Sequence, residues 1–211
     1  MSDHVWPRPY ALALLLIASF PGRLHAAPSV PDPRPPADAS SVPPPSASDP
    51  FADDPFTAGS RDWSATASAS CDSTLGWVYL AQANVRYYFA ENLAIDYGGM
   101  LGYVNARRAP EGALGGPQLG LRWHVAKGRR WSTYLEGLAG AVFQQNPITP
   151  ETLRFNFDLQ PGVGATYRLS ERLMAQGGFR WHHLSNAQIR GRAHNFGYDG
   201  PTLYVGLAES F

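Results

Sequence analysis

From position 62 to the C-terminus, apolar residues recur at every second position, the period of a β-strand. Eight segments carry the pattern: 62–71 (the weakest), 77–89, 93–104, 114–125, 131–143, 155–168, 173–185 and 199–211. Within them the odd-numbered residues are mostly apolar: Trp77, Tyr79, Val85, Tyr87 and Phe89 in one, Phe155, Phe157, Leu159, Val163 and Tyr167 in another. The even positions are often small or polar, as with Gln82, Asn84 and Arg86, or Asn156, Asp158, Gln160 and Arg168.

A soluble sandwich alternates in the same way. Three features point instead to an eight-stranded antiparallel transmembrane β-barrel of the outer membrane over residues 58–211. The segments are long enough for a tilted span, which takes about 9–11 residues. The connections alternate, with short turns at 90–92, 126–130 and 169–172 and longer ones at 105–113, 144–154 and 186–198. Outer-membrane barrels have that asymmetry, short on the periplasmic side and long outside. The chain also ends in Phe211 on an alternating strand, and Trp63, Trp77, Tyr103, Trp123, Trp131, Phe143 and Trp181 fall near strand ends, as interfacial girdles require.

The N-terminal part lacks this pattern. Residues 1–26 read as a secretory signal peptide: His4 and Arg8 precede a mostly apolar run at 10–20, and Leu24-His25-Ala26 ends in a small residue suited to cleavage. The run is too short to span a bilayer as a helix. Residues 27–57 hold ten of the 19 prolines and few large apolar side chains, which predicts a disordered tether.

Charge removes other classes. The 17 Lys+Arg balance 17 Asp+Glu, whereas a nucleic-acid binder needs a basic excess. The single cysteine, Cys71, excludes an intrachain disulfide framework and a Cys-cluster metal site. No metal-ligand cluster is evident, so neither metal nor cofactor is expected. In an eight-stranded barrel side chains fill the interior. The even-numbered Arg86, Asp96, Arg122, Glu136, Asp158, Arg168 and Arg180 are therefore expected inside, in mutual ion pairs. His124 and His182 share their parity, while Cys71 reads as an inert outward residue.

One cluster departs from the barrel pattern. In Arg180-Trp181-His182-His183-Leu184-Ser185-Asn186, the parity sends His183 and Ser185 outward, toward lipid, and Asp199 opens the next strand with the same parity. Polar side chains facing hydrocarbon are costly. Two readings follow from the residues: ordinary polar groups at the rim, or a hydroxyl, an imidazole and a carboxylate brought together for chemistry. Imidazole takes the proton of an attacking serine, and a carboxylate fixes the imidazole tautomer. Asn186 and neighbouring backbone N–H groups are candidate donors to an oxyanion.

His183-Leu184-Ser185-Asn186-Ala187, followed by Asn195-Phe196-Gly197-Tyr198-Asp199, resembles the lipid A 3-O-deacylase (PagL) family of outer-membrane acyl hydrolases. Leu119-Gly120-Leu121-Arg122-Trp123-His124 and Phe155-Asn156-Phe157 to Gly162-Val163-Gly164 resemble it too, so the likeness runs from about Trp77 to Phe211. It implies an eight-stranded barrel with the triad on its outer wall, and hydrolysis of the ester-linked acyl chain at position 3 of lipid A. Ser185 would be the nucleophile, His183 the base and Asp199 the orienting acid. Two positions depart from well-known members: Asp199 stands where they have Glu, and Gln188 where Gly is often found.

The expected partners are lipopolysaccharide as substrate and the outer membrane of a Gram-negative bacterium. Acyl chains are expected along Phe179, Trp181 and Leu203, and Arg107, Arg108, Arg190 and Arg192 are candidate partners of lipid A phosphates. The sequence leaves the oligomeric state open, a homodimer included. Two other functions remain in view: a non-catalytic barrel for binding or adhesion, and an outer-membrane phospholipase or acyltransferase using the same triad.

Overall fold

The computed structural model describes residues 51–148, 153–189, 191, 195 and 197–211. The signal peptide, most of the tether, and Arg190, Arg192 and His194 lie outside the described residues. The strands are β1 (Arg61–Asp72), β2 (Gly76–Ala90), β3 (Leu93–Ala106), β4 (Gly112–Lys127), β5 (Trp131–Gln144), β6 (Phe155–Arg168), β7 (Leu173–Ser185) and β8 (Tyr198–Ser210). Each pairs antiparallel with the next, and β8 returns to β1, closing a barrel with no unpaired edge. The eight segments expected from the alternation are these eight strands. β3 and β4 run further than expected, because Asn105 and Ala106 pair with Trp77 and Gly76 of β2 and Gly112 pairs with Val104, which shortens the connection between them.

One parity holds around the wall. Apart from single bulges in β2–β3 and β4–β5, the registers pair odd residues with odd, as in Arg86↔Asp96 and His183↔Asp199 for the even and odd faces. Odd side chains therefore face out everywhere. Leu101, Leu119, Phe143, Leu203 and Val205 are among the large apolar residues on that exposed face. Such a face is stable only against hydrocarbon.

Even side chains fill the lumen, where buried charges of opposite sign lie close to one another. Arg86 Nε lies 2.7 Å from Asp96 and its Nη1 3.1 Å from Asp62. Glu136 lies between Arg122 and Arg180, 2.8 Å from each. His182 Nε2 is 2.9 Å from Asp158 Oδ1. Asp62 is the anion that the sequence reading omitted. Arg168 differs from expectation: its Nη1 donates to the carbonyls of Phe51 and Asp53 rather than to a carboxylate.

Those carbonyls belong to the end of the expected tether, so the boundary at residue 57 needs correcting. Residues 51–60 pack against the short-turn mouth of the barrel. Phe56 is 4% exposed and stacks on the His124 ring, with centroids 3.9 Å apart. Its carbonyl accepts from Asn92 N–H at 2.9 Å. A buried aromatic and satisfied backbone groups order this stretch although proline-rich sequence precedes it.

The narrow lumen explains many glycines. A Cβ on Gly206 would lie 2.1 Å from the Ala65 carbonyl oxygen across the β8–β1 seam. Only glycine lets the two backbones approach there.

Candidate active site on the outer wall

β7 presents Trp181, His183 and Ser185 on its outer face at successive odd positions, climbing toward the long-loop end of the barrel. β8 begins opposite them, with Asp199 directly across from His183. Residues two apart on a strand share a face, and facing residues of an antiparallel pair bring their Cβ atoms within about 5 Å. The register therefore brings the three groups into reach of each other.

His183 Nδ1 is 2.8 Å from Asp199 Oδ1, and His183 Nε2 is 3.0 Å from Ser185 Oγ. A carboxylate only accepts, so the proton between His183 and Asp199 sits on Nδ1, and Nε2 takes the Ser185 hydroxyl as its donor. That is the arrangement in which serine is ready to lose its proton to imidazole. The side chains of His183 and Asp199 are 35% and 49% exposed, open sideways to whatever surrounds the barrel.

Three further contacts hold the group. The Trp181 indole N–H donates to Asp199 Oδ1 at 3.2 Å. The Asp199 backbone N–H donates to Asp72 Oδ2 at 3.3 Å, beyond the point where the β1–β8 ladder ends at Ser70↔Thr202. Asp72 is itself fixed by Thr74 N–H and Leu75 N–H on its other oxygen, at 2.7 and 3.0 Å, an Asx turn at the top of β1. Gly197 completes the surround, with its α-carbon region against His183 and Asp199.

The sequence reading brought His183, Ser185 and Asp199 together, and the structure places all three in contact. It missed Asp72, whose signal was the Asp-x-Thr turn pattern. It read Trp181 only as an interfacial aromatic that lines an acyl chain. Asn186 is placed differently from a surface donor. It is 1% exposed, its backbone N–H donates to Asn195 Oδ1 at 2.9 Å, and its Oδ1 accepts from Gln188 N–H at 3.0 Å. The chain after Ser185 turns through two left-handed residues, Ala187 at φ 51° and Gln188 at φ 61°. A glycine favoured at position 188 fits that geometry, because L side chains are strained there.

His182 and His124 point into the lumen, as their parity predicted, and take no part. Cys71 is a free thiol, partly buried, on β1. Arg107 donates from Nη1 to the Ser73 carbonyl at 2.9 Å, at the same end of the barrel as the triad. Among the described residues no group of three or more His, Cys, Asp or Glu side chains is arranged to hold a metal ion.

A family model described as lipid A 3-O-deacylase (PagL) matches residues 67–208, more than half of the chain. The chain belongs to the lipid A 3-O-deacylase (PagL) family. Membership covers every strand that carries the site and places the barrel in the outer membrane of Gram-negative bacteria. Among solved structures, the outer membrane protein OprG from Pseudomonas aeruginosa matches at 11% identity with a TM-score of 0.50, covering 75% of this chain and 99% of its own. The N-terminal β-barrel domain of Pseudomonas aeruginosa OprF matches at 12% identity and a TM-score of 0.48, covering 73% and 98%. At these identities the OprG likeness speaks for the barrel fold alone. No curated protein matches the chain.

Proposed function

We propose that this PagL-family barrel hydrolyses the 3-O-linked acyl ester of lipid A, using Ser185, His183 and Asp199. The observation that carries the reading is the unbroken hydrogen-bond chain from Ser185 Oγ through the His183 ring to Asp199, on a wall that faces lipid. In the outer membrane the long loops lie outside, so the triad stands at the level of the external leaflet, where lipopolysaccharide resides. An ester in that leaflet reaches Ser185 laterally without leaving the membrane.

The Ser185 oxygen attacks the ester carbonyl as His183 Nε2 takes its proton. The protonated ring then donates to the leaving 3-hydroxyl oxygen of the sugar, leaving an acyl-serine. His183 next removes a proton from water, which attacks the acyl carbon; the Oγ–acyl bond breaks, the ring returns its proton to Ser185 Oγ, and a 3-hydroxy fatty acid leaves. Asp199 keeps the proton on Nδ1 and stabilises the imidazolium formed in each half. The tetrahedral oxyanion needs donors. Backbone N–H groups of the turn after Ser185 are the candidates, since the Asn186 side chain is 1% exposed and its own backbone N–H is held by Asn195.

Acyl chains would lie along Phe179, Trp181 and Leu203, which are exposed on the same wall. Arg107 and Arg108 would face the phosphates. Mass spectrometry of lipid A incubated with the refolded protein in detergent tests the reading. Wild type should remove one 3-hydroxyacyl group and Ser185→Ala none. Fatty acid released from phospholipid, or transferred to an acceptor, would replace the lipid A reading with a phospholipase or acyltransferase. A folded barrel that cleaves nothing would leave a binding protein.

A further inference from the structure

Asp199 Oδ1 accepts two donors, the His183 ring at 2.8 Å and the Trp181 indole N–H at 3.2 Å. Trp181 lies two residues before His183 on the same face of β7 and sits across from Pro201 on β8, so its ring reaches Asp199 diagonally over the strand seam. An interfacial tryptophan needs no protein partner, because water and lipid headgroups satisfy its N–H. Here that N–H is directed at the carboxylate that holds the base.

We propose that Trp181 is a positioning residue for the hydrolytic site, holding Asp199 through its indole N–H. The inference rests on the triad reading above and adds a residue to it. The physical need comes from the location. Asp199 is half exposed at the start of β8, beyond the last β1–β8 ladder pair, and its side chain has rotamers that turn away from His183. Asp72 fixes the Asp199 backbone. It does not fix the carboxylate plane. A second donor on Oδ1 does, because both donors are satisfied together only with the carboxylate turned toward β7. The indole itself is anchored as an interfacial aromatic, so it offers a stiff donor with few rotamers to lose. Trp181 therefore acts through Asp199 on the His183 ring, and touches neither the nucleophile nor the scissile ester.

The test uses the full-length protein refolded in detergent, with Trp181→Phe, which removes the N–H and keeps an aromatic ring. The expected result is a kcat for lipid A deacylation lowered about tenfold with KM unchanged, the size of one lost hydrogen bond to a charged group. In an Asp199→Ala background the same substitution should change kcat no further. Trp131→Phe, at the other end of the barrel, should match wild type. The indole resonance missing from the Trp181→Phe spectrum should shift upfield in Asp199→Ala, which reports the hydrogen bond without activity. An equal loss in both backgrounds, a raised KM with unchanged kcat, or an indole resonance indifferent to Asp199→Ala would overturn the inference. If wild type cleaves no lipid A, the triad reading fails, and the indole resonance still decides whether Trp181 holds Asp199.

Discussion

Ser185, His183 and Asp199 are three side chains whose value depends on a few tenths of an ångström. The chain supplies them from two strands, β7 and β8. Asp72 accepts from the Asp199 backbone N–H and so fixes where that side chain starts. Asp199→Asn keeps the shape and removes the charge, so kcat should fall by about 10²–10⁴-fold with little change in thermal stability, measured by deacylation rates beside circular dichroism melts. The turn after Ser185 gives a second expectation. Gln188 sits at φ 61°, open to glycine and closed to proline, whose ring fixes φ near about −65°. Gln188→Gly should retain activity and Gln188→Pro should lose it, in the same assay. The residue types and their spacing were legible in the sequence as far as the triad. The Trp181 and Asp72 contacts were not, because they cross from β7 and β1 to β8 and depend on register rather than on adjacency.

At the scale of elements, alternation alone recovered all eight strands, because each strand has one face in lipid and one in a polar lumen. A soluble antiparallel sheet alternates too, so loop lengths and aromatic girdles were needed beside the alternation to tell the barrel from a sandwich. What alternation did not give was how the inner charges pair. Glu136 on β5 serves Arg122 on the neighbouring β4 and Arg180 on β7, so it ties strands that are not all adjacent in the wall. Glu136→Ala would leave two buried guanidinium groups without their shared anion, and unfolding free energy should drop by about 3–5 kcal/mol in urea titrations of the refolded barrel. Gly206→Val places a branched side chain against the Ala65 carbonyl and should prevent β8 from closing on β1, seen as loss of refolding yield. Arg168 shows the limit of reading charges by parity. It faces inward as expected, yet the backbone carbonyls of Phe51 and Asp53 reach it before any carboxylate does.

At the scale of the molecule, the barrel is a closed frame with the proposed active site on its outer wall. The lumen is packed with side chains, and the short-turn mouth is stopped by Phe56. Phe56→Ala should cost about 3–5 kcal/mol of stability by the same titration and leave the kcat of the distant triad unchanged. The hydrogen-bond chain needs no ion, so deacylation in excess chelator should proceed at the wild-type rate. The strand count, the face each residue takes and the meeting of hydroxyl, imidazole and carboxylate on one outward patch were all readable from the chain, since a period of two is a local property. Which donors hold Asp199, how the lumenal ions pair and where residues 51–60 pack depended on the folded barrel. Those contacts join positions as distant in sequence as Asp72 and Asp199, or Phe51 and Arg168, and they form only when the eighth strand meets the first and the barrel closes.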